Sequence, residues 1–225
     1  MEIPKEVIEH CALFVQMPTE RVYELLDELC AGTRTYACGE ALVLAGYENS
    51  SIGIVLEGRI EAYKSEPDGS QLMMANMGPG GVFGDVICGS HSKKSPVTVV
   101  AATDVRALWI PYAKVLGNSN SPMHTVFLQN LIALLAEKYF SLDRRLELLM
   151  ARTLREKLLR YLMNDAPMNS DGSRQTPFTR AQLAAYLGCD RAALCRELSR
   201  MQRDGILEVH GRSFRLLHTI KTLPD

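Results

Sequence analysis

The strongest constraint in this chain is a stretch of more than forty residues, after Pro122 and before Pro167, that contains neither glycine nor proline. Ser121 can cap a helix there, and Pro122 suits the first helical position because its missing N–H has no partner at that point. Within the stretch Leu128, Ile132, Leu135, Tyr139, Leu142, Leu146 and Leu149 are spaced 4, 3, 4, 3, 4, 3. That is a heptad seam sustained for about three repeats. A helix of about 29 residues would be roughly 43 Å long, longer than a small domain needs. The seam can serve self-association, or it can lie across the chain's own remaining core. The strict 3.5 period favours a homodimer built along the helix.

Upstream the texture differs. Residues 4–31 place Val7, Ile8, Leu13, Val22, Leu25, Leu26 and Leu29 at helical spacing. From Thr33 to Pro111, short β-prone runs (Ser51–Leu56, Arg59–Tyr63, Gln71–Ala75, Val97–Ala101) alternate with Gly58, Asp68-Gly69 and Gly78-Pro79-Gly80-Gly81. Strands this short and regular predict a β-roll or jelly roll.

Downstream, a second amphipathic helix runs to about Met163, and 164–177 form a loop or small hairpin. Thr179 followed by Gln182 is a capping-box pattern. It opens a helix carrying Leu183, Ala184 and Leu187, which Gly188 ends. Asp190 can cap the next helix, from Arg191 to about Arg203. Two short helices across a glycine turn have the spacing of a helix-turn-helix, whose second helix enters the major groove. Leu194, Leu198 and Met201 would pack inward, leaving Arg191, Ala192, Cys195, Arg196 and Ser199 toward DNA. An arginine there can fork to guanine O6 and N7, and Thr179 and Arg180 suit phosphates. After Gly205, Ile206–Val209 and Arg212–Leu217 read as a β-hairpin wing turning at His210-Gly211, with His210 and Arg212 facing DNA.

Charge agrees. The net charge of -1 conceals 12 Lys+Arg against 18 Asp+Glu in residues 1–150, and 13 against 8 in residues 151–225. A basic end joined to an acidic body suggests that one end meets a polyanion. Cys11, Cys30, Cys38, Cys88, Cys189 and Cys195 form no CxxC pair and read as reduced, mostly buried thiols. No signal peptide and no bilayer-length apolar run is evident, so a cytoplasmic protein that makes no membrane contact is expected. The domains expected are 1–120, 121–150 and 151–225.

The ordered set resembles the CRP/FNR superfamily of bacterial transcription regulators over nearly the whole chain. Ile54-Val55-Leu56-Glu57-Gly58-Arg59-Ile60-Glu61-Ala62-Tyr63 is similar to its Leu-x-Gly-x-hydrophobic turn, and Asp68-Gly69 matches its hairpin. Gly78-Pro79-Gly80-Gly81-Val82-Phe83-Gly84-Asp85 matches its glycine-rich run, and 178–180 and 188–196 follow its DNA-binding helices. The resemblance implies an α+β fold: a cyclic-nucleotide-binding-type β-roll, a long dimerisation helix and a C-terminal winged helix-turn-helix. It also implies a palindromic double-stranded operator, RNA polymerase as a partner, and an effector pocket at Phe83, Gly84, Asp85, Ser95, Pro96, Val97, Leu135, Lys138 and Tyr139.

This sequence departs from the cyclic-AMP-binding members. Ser95-Pro96 stands where an Arg-Ser pair grips the phosphate, and Lys138-Tyr139 where a Thr-Ser pair receives adenine. A buried phosphate needs a fixed cationic fork, so the expected effector is not cyclic AMP. In the recognition helix both arginines are retained as Arg191 and Arg196, but the base-reading Glu between them is Ala192. Cys11, Cys30 and Cys38 are too far apart for the family's iron–sulfur cluster. Cys88 and His91 are the residues a haem-sensing branch would use, and Cys38 or Cys88 those of a thiol switch; neither haem nor any other cofactor is assigned. Between Thr33 and Pro111 the only histidine is His91, which leaves a cupin-type metal site without its ligands, so no metal and no enzyme is expected. Three readings of the β-roll remain: a chamber for a small effector, a scaffold for a constitutive DNA-binder, or a haem- or thiol-based redox sensor.

Overall fold

The computed structural model describes residues 2–65, 71–117 and 121–217. It divides into two compact units, Met1–Lys138 and Tyr139–Asp225.

In the first unit, helix α1 (Lys5–His10), a single 3-10 turn (Ala12–Phe14) and helix α2 (Thr19–Glu28) precede eight strands. Strands β1 (Gly32–Tyr36), β8 (Val105–Pro111), β3 (Ser51–Glu57) and β6 (Val82–Phe83) form one four-stranded sheet in that order. Strands β2 (Ala41–Val43), β7 (Thr98–Ala101), β4 (Ile60–Ser65) and β5 (Gln71–Met77) form the other. Every pairing is antiparallel. The Asp68-Gly69 turn lies outside the described residues. Helix α3 (Asp85–Gly89) follows β6, and helix α4 (Tyr112–Val115) follows β8.

Strand β3 explains how the roll is closed. Its period-two alternation sends Ile52, Ile54 and Leu56 to a core with α1, α2, Phe127 and Leu131. Val55 goes to a second core inside the roll, among Ile60, Phe83, Val99, Val105 and Trp109. Strand β8 does the same, with Leu108 and Ile110 on one side and Val105, Ala107 and Trp109 on the other. Both strands are therefore buried on two faces and read as continuous apolar runs. Phe83 meets Trp109 edge-on with ring centroids 5.1 Å apart. That approach requires glycine at Gly53, where a Cβ would lie 2.2 Å from the Phe83 ring. Gly58, between β3 and β4, has φ +82°, and a Cβ there would lie 2.1 Å from the Asp104 carbonyl oxygen; only glycine fits such a turn.

Helix α5 (Pro122–Met150) is unbroken over 29 residues. Its early residues Phe127 and Leu131 complete the first core, and Asn130 Nδ2 donates to the Leu13 and Val15 carbonyls. Buried His124 bonds through Nε2 to the Val115 carbonyl at 2.8 Å. Among the described residues no helix is long and apolar enough to cross a membrane.

In the second unit, the end of α5 contributes Leu148 to a core with helices α6 (Leu154–Asn164), α7 (Arg180–Tyr186) and α8 (Arg191–Arg203). The segment between α6 and α7, expected as a loop or small hairpin, contains a short strand, β9 (Arg174–Gln175), with Arg174 also bridged antiparallel to Met168. It completes a sheet of order β10–β11–β9 with β10 (Leu207–His210) and β11 (Ser213–Leu216). Buried Phe214 on β11 packs this wing onto the helices.

Candidate nucleic-acid interface and effector region

The turn between α7 and α8 is set by local chemistry. Thr179 caps α7 by accepting from Gln182 N–H, and the Gln182 side chain accepts from Thr179 N–H at 2.9 Å, a complete capping box. Asp190 caps α8, its carboxylate accepting from Ala193 N–H at 2.7 Å. Gly188 between them holds φ +68°. Each cap satisfies N–H groups that a helix start leaves without partners.

Helix α8 has one inward and one outward face. Leu194, Leu198 and Met201 are buried, while Arg191, Ala192, Cys195, Arg196 and Ser199 are exposed. Among the described residues neither Arg191 nor Arg196 has a hydrogen-bond or ion-pair partner in the chain. Cys195, Arg196, Ser199, Arg200 and Arg203 line an open groove along the helix.

The carboxylates of α8 and its ends are already engaged. Glu197 pairs with Arg155 at 2.7 Å and with Arg200 at 3.6 Å; Asp204 pairs with Arg155 at 2.7 Å. Arg155 on α6 thus ties down the recognition helix, a role no sequence pattern revealed because the partners lie 42 and 49 residues away.

Two residues expected at phosphates have internal bonds. The Thr179 hydroxyl lies within the capping box. Arg180 Nη2 donates to the Gly211 carbonyl at 2.7 Å, and its guanidinium sits 4.9 Å from the Phe214 ring centroid. Burial lowers its pKa. Arg180 therefore fastens the wing to α7. His210 at the wing is exposed, 3.9 Å from Glu208, and Arg212 is exposed, with Nη1 3.4 Å from the Pro177 carbonyl.

In the effector region, Phe83 is a core residue facing Trp109. Gly84 has φ +75° and leads into α3, whose first residue is Asp85. The Asp85 side chain is 2% exposed. Lys138 Nζ donates to both its carboxylate oxygens, at 2.8 and 2.7 Å, and to the Val82 carbonyl at 3.1 Å. Ser95 is buried with its hydroxyl donating to the Val97 carbonyl at 2.6 Å. Leu135 is half-buried against the first core. Tyr139 is exposed, its ring 5.6 Å from that of Phe140. The polar groups of this region are thus engaged with one another, Asp85 with Lys138 and Ser95 with Val97.

Burial pushes the Cys88 thiol up to about 11, helped by the nearby Asp85 charge. Its Sγ contacts Asn49. Cys11 is raised likewise, to about 11. Cys30, Cys38 and Cys195 are exposed. Among the described residues no three His, Cys, Asp or Glu side chains cluster as a metal site would require.

The seam residues on α5 divide. Leu128 and Leu135 are half-buried on the chain's own first core. Ile132 (67%), Tyr139 (64%), Leu142 (58%) and Leu146 (51%) are exposed, and Leu149 more than a third so.

A β-roll of cyclic-nucleotide type, a long helix and a basic winged helix-turn-helix together define a DNA-binding transcription regulator. Two family profiles match the chain: the cyclic nucleotide-binding domain over residues 33–117 and the Crp-like helix-turn-helix domain over 156–221. The chain belongs to the CRP/FNR superfamily. It is 23% identical over 202 residues to the transcriptional activator protein FnrA of Stutzerimonas stutzeri, covering 88% of this chain and 81% of that one. Identity to the cAMP-activated global transcriptional regulator CRP of Haemophilus influenzae is 22% over 185 residues, 79% and 80% of the two chains. Among solved structures, the catabolite activator protein of Thermus thermophilus shares the fold at TM-score 0.54 and 22% identity, over 91% of this chain and 93% of that one. The c-di-GMP-responsive regulator CLP of Xanthomonas campestris does so at TM-score 0.58 and 20% identity, over 90% and 100%.

Proposed function

We propose that this regulator works in the cytoplasm as a homodimer on a two-fold symmetric operator. The observation that carries the DNA-reading role is the outward face of α8, with Arg191 and Arg196 exposed, unpaired and mounted on a core-locked helix. The exposed seam of α5 supports the dimer, since Ile132, Tyr139, Leu142, Leu146 and Leu149 keep heptad spacing. Two copies would present two recognition helices to half-sites about one duplex turn, roughly 34 Å, apart. RNA polymerase is the partner such a dimer would meet at a promoter.

A small effector other than cyclic AMP, held between the roll and the early part of α5, would gate binding by changing how that helix packs. A specific observation favours a second reading, a constitutive DNA-binder. The Lys138 ammonium already supplies Asp85 with the charge and hydrogen bonds that a polar ligand would otherwise bring.

Selection of binding sites from random duplex DNA tests the reading, using the full-length protein with and without extract of small molecules. Enrichment of a symmetric sequence is the expected result. Enrichment only with extract supports gating, and equal enrichment without it supports the constitutive form. No enriched sequence under either condition would refute operator recognition.

A further inference from the structure

In the first unit, the chain that follows β6 and the chain that follows β8 meet over a cleft of about 440 Å³. Clefts of that size hold small molecules. One wall is the end of α3 with the turn after it, and the other is α4 with Leu116 behind it. The cleft shares no residue with the effector region at Asp85 and Lys138, so it is a separate place in the fold.

The two walls differ in chemistry. On the α4 side Tyr112 is half-buried, and Ala113 and Leu116 are exposed, Leu116 at 62%. A lone exposed leucine means little, but this one stands with Ala113 and the Tyr112 ring on a concave surface. On the α3 side His91 and Lys93 line the cleft and are exposed. Neither side chain has a hydrogen-bond or ion-pair partner among the described residues, and the described lining contains no carboxylate.

The turn that carries the ammonium is fixed. Lys93 has φ +51°, a left-handed backbone that a residue other than glycine seldom keeps. Its N–H donates to the Ser90 hydroxyl at 3.1 Å, and its carbonyl accepts from Asn49 N–H at 2.9 Å. Surroundings that hold such a conformation from both sides are what let it persist. Across the cleft the Tyr112 hydroxyl lies over Gly89, where an added Cβ would come within 3.4 Å of it. Glycine at that position leaves the hydroxyl open, and it too has no partner among the described residues.

An unpaired ammonium, an imidazole and a phenol hydroxyl beside an apolar wall call for an anion with an apolar body. A lysine is a point charge suited to a single carboxylate, and the cleft is far larger than an inorganic ion needs. We propose that this cleft binds a small organic carboxylate carrying an aromatic or branched aliphatic group. Lys93 and His91 hold the carboxylate, Tyr112 donates to it, and the apolar group lies along Ala113 and Leu116.

The test titrates 4-fluorophenylacetate with the full-length protein and reads the dissociation constant from broadening of the fluorine resonance. A value of about a millimolar or tighter is expected for a ligand of this size. Phenylacetamide, which has the same body without the charge, should compete at least about tenfold less well than phenylacetate. Lys93→Met keeps the side-chain length and should weaken binding roughly ten- to a hundredfold. Leu116→Ala should weaken it roughly three- to fivefold. Both side chains are exposed, so circular dichroism should stay native; Lys93→Gln replaces the methionine variant should that one fail to fold. The proposal is overturned if no broadening appears up to about 10 mM probe, or if the amide competes as well as the acid. It is equally overturned if the lysine variants bind like the native protein, or if inorganic phosphate displaces the probe as well as phenylacetate does. None of these outcomes touches operator selection, which is decided by its own experiment.

Discussion

Lys138 and Asp85 form an ion pair in which one ammonium bonds both oxygens of a carboxylate that is 2% exposed, 53 residues earlier in the chain. The pair joins α5 to α3 inside the first unit, and the same ammonium closes the Val82 carbonyl. A buried carboxylate left without its partner is costly, commonly about 3–5 kcal/mol. Lys138 is 36% exposed, so water recovers part of that cost.

Lys138→Met should therefore destabilise the protein by about 1–3 kcal/mol in urea unfolding. Adding Asp85→Leu to that variant should restore most of the loss, since an apolar pair needs no counter-charge. Equal destabilisation in the single and double variants would contradict the pairing argument.

Introducing a charge at Leu142 places an ion in the middle of the exposed seam. Leu142→Glu should convert the proposed dimer to monomer at micromolar concentration, measured by sedimentation, and operator affinity should fall with it. An unchanged dimer mass would exclude this face as the interface. The native helix content should persist, because Leu142 is not part of any of the three cores.

Arg155 is the fastening between α6 and α8. Arg155→Ala leaves Glu197, 13% exposed on its side chain, with only the longer contact to Arg200. Loss of about 1–2 kcal/mol of stability is expected, together with weaker operator binding from a less firmly held α8. Retention of full affinity would show that the pair does not position the recognition helix.

Thiol chemistry gives a pH-dependent test. A pKa raised to about 11 for Cys88 means its charged form is disfavoured, so only about one molecule in ten thousand carries the reactive thiolate at pH 7. Iodoacetamide labelling followed by peptide mass mapping should modify Cys30, Cys38 and Cys195 first. Labelling of Cys88 should rise only as pH climbs toward 11. Rapid Cys88 labelling at pH 7 would restore it as a candidate redox sensor.

Much of this arrangement was legible in the residues. The heptad spacing marked α5, the Thr179–Gln182 pattern marked the start of α7, and the 4,3 spacing of Leu194, Leu198 and Met201 separated the two faces of α8. Strand β8 was not marked as a strand: Arg106 interrupts its apolar run, whereas β3, equally buried on both faces, kept an unbroken run from Ile52 to Leu56 and was marked. Strand β1 escaped because it is exposed along most of its length. The uses of Arg180, Lys138 and Arg155 could not be read, since their partners lie 31, 53 and 42 residues away. A cation in a sequence shows that a charge is present, whereas only the fold shows whether it faces a neighbour or solvent. Sequence spacing likewise could not tell that Leu128 and Leu135 would be spent on the chain's own core.

The open stretch of α5, from Ile132 to Met150, has a consequence for the newly made chain. If the proposed dimer has not formed, apolar side chains along several turns of α5 face water, and surface of that kind is what chaperones and proteases bind. A single copy would be short-lived and a paired one protected. The same leucines that build the seam would then also set how much of the regulator the cell keeps.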